Sequence, residues 1–260
     1  METKEKELMI SELKNGKPFS QMSWQAHEDR DVVMAAVKIK GSNINYAAAE
    51  MLKDREIVLE AAKTYGAILE HRYLPDKFRR DKEIVTTALK DSPSHLVGAH
   101  IDLRNDPEFV TPYIQQFGSL IKDVGLHLRD DFSVVKEAVK SDAYALQYAS
   151  DRLRDNREIV LAAISQGGNA GLRFASDRLK DDKEIATEAI KKDPSALFHC
   201  SDRLKDDSEL VKFAIDKNSF VIRYASPRLQ REYNEKEMGL SQDKGWGART
   251  VNNKSHGIAD

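Results

Sequence analysis

Apolar residues recur along this chain at i, i+1, i+4 and i+5, as in Ile159, Val160, Ala163 and Ile164. That spacing lays one stripe along a helix of 3.6 residues per turn and does not fit the two-residue alternation of a strand. The stripes open on a shared phrase, an acidic or amide residue followed by x-Glu and two apolar residues. It reads Asp54-Arg55-Glu56-Ile57-Val58, Asp81-Lys82-Glu83-Ile84-Val85, Asp106-Pro107-Glu108-Phe109-Val110, Asn156-Arg157-Glu158-Ile159-Val160, Asp182-Lys183-Glu184-Ile185-Ala186 and Asp207-Ser208-Glu209-Leu210-Val211, with looser copies at Asp29 and Asp131. The eight first positions are separated by 25 residues in five steps, 26 in one and 27 in one. So regular a period marks a repeat array.

Each unit predicts a first helix, A, with an acidic first turn that suits the helix dipole. Asp155, Asp181, Asp206 and Asn105 stand three residues ahead of Glu158, Glu184, Glu209 and Glu108, the spacing of a capping box. The pattern then breaks at Gly41, Gly66, Gly118, Gly167, Ser92-Pro93 or Asp193-Pro194, where a second, short helix, B, is expected to start. Helix B carries Leu-x-aromatic-Ala-Ser-x-x-Leu, as in Leu146, Tyr148, Ala149, Ser150 and Leu153, or Leu172, Phe174, Ala175, Ser176 and Leu179. The serine is placed to cap one further turn that holds the last leucine.

Two helices in 25 residues cannot hide their apolar stripes alone, so neighbouring units must share a core. The expectation is an all-α, right-handed α-solenoid of about eight helix-turn-helix units over 29–230, roughly 65–80 Å long. Residues 1–28, with a helix-compatible Glu7 to Leu13 segment and Trp24, are expected to cap the first unit. Residues 231–260 read as a flexible tail, in which Trp246 is either free or an anchor. Pro112 inside a helix A, near Gly98, Gly118, Asp123 and Gly125, predicts a kink.

Equivalent positions form ladders. The helix-B aromatic slot holds Tyr46, Tyr73, Tyr148, Phe174, His199 and Tyr224, with Gly98 and Asp123 as exceptions. Packing between units is the ordinary use of such a slot; base stacking is the other. The next slot is small, and it explains Cys200 without redox chemistry. Arg152, Arg178, Arg203 and Arg228 recur one unit apart, with Asp151, Asp177 and Asp202 before the first three. The aspartates favour local ion pairs, while four arginines in line leave a phosphate-tracking ladder open. The middle of helix A is the expected contact face: Met34, Leu59, Thr86, Lys136, Leu161, Thr187, Lys212 and Phe213.

The 41 basic and 43 acidic side chains nearly cancel, so no net field favours nucleic acid or anionic lipid. One cysteine excludes an internal disulfide. There is no apolar run of membrane-spanning length and no secretory order at the start, so a cytoplasmic protein without membrane attachment is expected. The histidines are scattered, and no phosphate loop, nucleophile elbow or metalloprotease motif occurs. No catalytic, cofactor or metal site is expected.

The phrases around Asn156 to Ala163 and Ala145 to Leu153 resemble a repeat family of bacteria and giant viruses catalogued as domain of unknown function 4116. The resemblance runs from about Asp29 to Leu229, is strongest from Asp131 and weakest from Gly98 to Gly125. It implies a helical repeat array and carries over no active-site residue. Its presence in intracellular bacteria extends the expectation, by analogy alone, to an exported effector-like role. The reading is a non-catalytic scaffold that binds a protein or peptide, with a nucleic-acid binder using the arginine ladder as the alternative.

Overall fold

The computed structural model describes residues 2–237, where every regular element is helical and no strand occurs. Ten helices of eight or more residues follow in chain order among the described residues: α1 Thr3–Lys14, α2 Arg30–Ile39, α3 Arg55–Ala62, α4 Lys82–Asp91, α5 Pro107–Gln116, α6 Phe132–Ser141, α7 Arg157–Gln166, α8 Lys183–Lys192, α9 Ser208–Lys217 and α10 Pro227–Glu237. Helices α2 to α9 are the predicted A helices. All but α5 bury four apolar residues on one side, such as Ile159, Val160, Ala163 and Ile164 on α7. The buried apolar residues form one continuous cluster from Leu13 to Leu229.

Helix B departs from expectation. After seven of the eight A helices it is a 3-10 segment of five or six residues, as at Ala143–Tyr148 and Pro194–His199, and only Gly168–Arg173 is α-helical. Few residues are left between two caps, and the tighter 3-10 turn suits so short a piece. The serine-capped turn follows: Ser150, Ser176 and Ser201 accept the backbone N–H of Leu153, Leu179 and Leu204.

The A-helix cap lies one residue later than the capping-box spacing predicts. Asn156 Oδ1 accepts the N–H groups of Glu158 (3.0 Å) and Ile159 (3.1 Å), and Asp182, Asp207 and Asp106 do the same for their helices. Asp155, Asp181 and Asp206 are thereby released for another task, described below.

Helix α1 packs on α2, and Leu13, Phe19 and Met22 close the end of the core, whereas Trp24 stays 66% exposed. Helix α5 runs unbroken through Pro112, so the proline expected to kink it does not end it. At the other end α10 continues to Glu237, which places 231–237 in a helix; Trp246 lies outside the described residues.

Successive units touch closely. Helix A of one unit packs on helix B of the unit before, as α6 does on Gly118–Asp123 and α8 on Gly168–Arg173. At Gly118 a Cβ would run into the Ala138 carbonyl oxygen, so glycine opposite alanine sets how near two units come. Backbone bonds add rungs between successive units from Arg79 onward, among them Ser150 N–H to Arg129 O (2.9 Å), Ser176 N–H to Arg154 O (2.9 Å) and Ser226 N–H to Lys205 O (2.9 Å).

Candidate interaction surfaces

The arginine ladder faces backwards along the array. Arg178 donates through Nε to Asp155 Oδ1 (2.9 Å) and through Nη2 to the Asp155 carbonyl (2.8 Å), while the Ser176 hydroxyl donates to the same carboxylate. The arrangement recurs at Arg152 with Asp130 and Ser150, at Arg203 with Asp181 and Ser201, and at Arg228 with Asp206 and Ser226. The serine hydroxyl and then the guanidinium hold each of these four aspartates below the usual carboxylate range. The partners are therefore the previous unit's aspartates and not the interleaved Asp151, Asp177 and Asp202. Asp151 pairs instead with Arg154, and Asp177 with Lys180. Two units before the first rung the charges are swapped, with Arg80 donating to Asp102 (2.6 Å).

A second ladder, which the sequence reading missed, runs along the A-helix starts. Arg55 bonds the cap Asp81 (2.7 Å) and also Glu83, and Lys183 reaches Asp207 (2.8 Å) and Glu209 (3.0 Å). Arg30 and Arg157 repeat it, and Lys6 of α1 does so toward Asp29 (3.3 Å) and Asp31 (2.6 Å). The Arg55 hydrogen bond leads in pulling the Asp81 carboxyl down, and Lys82 leads at Asp106. Basic residues at the first helical position were the visible signal. The ladder lapses where Pro107 and Phe132 hold that position.

The predicted A-helix face is continuous but half-buried. Met34, Leu59, Thr86, Lys136, Leu161, Thr187, Lys212 and Phe213 all have intermediate exposure, and Met34, Leu59, Leu161 and Phe213 pack against the core. Between α7 and α8 lies a hollow of about 310 Å³ lined by Arg157, Leu161, Lys183, Glu184, Thr187 and Glu188. Another of about 300 Å³, between α1 and α2, includes Ile10, Met34 and Ala35.

The helix-B edge is more exposed than a packing slot requires. Tyr148, Phe174 and Tyr224 lean on the core, but Tyr46 and Tyr73 stand mostly in solvent, as do Tyr144, Phe198 and Phe220 beside the slot. Burial leads in lowering the His199 pKa, with Arg173, Lys180 and Lys205 adding to it; its Nε2 lies 3.1 Å from Asn169 Oδ1. Cys200 is buried in the small slot, and burial pushes its thiol up to about 12, which leaves it no nucleophilic role. No group of three or more His, Cys, Asp or Glu suited to hold a metal ion is present among the described residues, and none of their helices is long and apolar enough to cross a membrane.

The family model described as Domain of unknown function (DUF4116) matches residues 29–79, 81–129, 131–180, 171–199 and 182–230. The chain belongs to the DUF4116 family. Four of these DUF4116 matches begin at or immediately on the A-helix caps Asp29, Asp81, Asp131 and Asp182, so one match spans two 25-residue periods. The weak stretch around Gly98 to Gly125 falls inside the DUF4116 match 81–129. No curated protein and no solved structure matches the chain.

Proposed function

We propose that this protein is a non-catalytic scaffold for protein–protein interaction, built as an open right-handed α-solenoid of eight 25-residue units. The observation that carries this reading is the pairing of two inter-unit ion ladders with long faces that keep large apolar side chains in solvent. The ladders hold successive units in fixed relation, and Tyr144, Phe198 and Phe220 stay exposed beside them. Exposed aromatic groups on a stiff frame are what partner surfaces use. The nucleic-acid alternative draws less support, because each ladder arginine shares its charge with an aspartate of the previous unit.

Photo-crosslinkers at Leu161 on the A face and at Phe198 on the B edge test the reading in the native cytoplasm. A discrete, nuclease-resistant protein adduct at either position is expected. Adducts that vanish on nuclease treatment, with salt-sensitive RNA binding lost when Arg152, Arg178 and Arg203 become Ala in a chain that keeps its helix content, would overturn it in favour of nucleic acid.

A further inference from the structure

The B edge of the last four units carries arginines unlike those of the ladder. The Arg173 guanidinium lies 5.1 Å from the Phe174 ring centre and Arg223 lies 4.8 Å from that of Tyr224. Neither is paired with a carboxylate among the described residues, whereas every ladder arginine is. Aromatic rings run between them. Tyr144 meets Phe174 edge-on at 6.0 Å, and Phe198 meets His199 at 4.9 Å and Tyr224 at 5.2 Å. Phe198 is 54% exposed and Phe220 is 78% exposed. Asn169 joins the Phe174 and His199 units by its contact to the His199 ring.

We propose that this strip, from Tyr144 to Tyr224, docks an extended acidic segment of a partner protein, with carboxylates on Arg173 and Arg223 and an apolar side chain on Phe198 between them. The proposal rests on the scaffold reading and names the face and the partner's chemistry. Charge complementarity supplies the argument: two exposed guanidiniums, each beside an aromatic ring and one of them (Arg223) also donating to the Tyr224 hydroxyl (2.7 Å), lack the carboxylate partner that an acidic segment provides. Their spacing supplies the register. Two units at about 8–10 Å each separate the arginines by roughly 16–20 Å, which an extended chain at about 3.3 Å per residue spans in five or six residues. Asp177 and Asp202 stand fully exposed on the adjoining turns, so the strip suits isolated carboxylates set on the two arginines and not an unbroken run of phosphate charge.

The test is fluorescence anisotropy with the full chain and a labelled ten-residue peptide bearing Glu at positions 3 and 8 and Leu at 5 and 6. Comparison probes are the same peptide with Gln for Glu and a ten-nucleotide oligouridylate. The Glu peptide is expected to bind best, and Arg173→Ala, Arg223→Ala and Phe198→Ser are each expected to weaken it about tenfold. Lys38→Ala, on the A-helix side, should leave it unchanged. An Arg173→Glu, Arg223→Glu chain should prefer the peptide with Lys for Glu, which separates lost recognition from lost folding. Equal binding of the Gln peptide, tighter binding of oligouridylate, or wild-type affinity in the arginine variants would overturn the proposal. If any of these occurred while a protein still cross-linked at Leu161, the strip would fall and the scaffold reading would stand.

Discussion

Leu153 shows what a single position contributes. It is fully buried on the serine-capped turn, so Leu153→Ala is expected to cost about 2–5 kcal/mol, measured by urea unfolding. Its burial was legible from the repeat, because an apolar residue at a fixed place in every unit has to be core. The role of Asp155 was not. It bonds Arg178 and Ser176 more than twenty residues away, and such a partner exists only once the units are stacked. Asp123 is the opposite case, a carboxylate in an aromatic slot whose pKa burial raises. A raised carboxylate destabilises the fold as pH climbs past its unfolded value of about 3.9, so Asp123→Asn should raise Tm at pH 7 and make no difference near pH 3.

The A helices were legible as elements because period, cap chemistry and acidic first turn agree, and the cap was misplaced by only one residue. Two acidic or amide residues stand side by side at 155–156 and 181–182, and spacing alone cannot say which one bends back onto the helix. Helix B was legible in position but not in type, since 3-10 and α turns share their apolar signal over six residues. Helix α5 is the irregular element. Tyr113 takes the place that alanine holds in the other A helices, Phe109 takes that of the first apolar residue, and only Val110 and Ile114 are fully buried. Pro112 also removes one backbone donor. Amide exchange in 107–116 is therefore expected to be faster than in 157–166; equal protection of the two helices in native-state hydrogen exchange would argue against this account of α5.

At the scale of the molecule, the ladders make stability depend on ionised aspartates. Asp130, Asp155, Asp181 and Asp206 are held below the usual range, so their contribution is complete above about pH 4 and is lost as pH falls further, through their folded values. Thermal melts from pH 6 to pH 2 should show Tm falling mainly at the acid end. A Tm that stays flat down to pH 2 would assign the ladders no part in stability.

The central claim is that each unit leans on its neighbours alone, leaving the chain long and open. Small-angle X-ray scattering of the monomer measures this directly. A stacked array should give a largest dimension of about 65–80 Å or more and a radius of gyration well above the roughly 18 Å of a compact globule this long. A radius near that globular value would contradict the claim, because units far apart in sequence would then have to pack together.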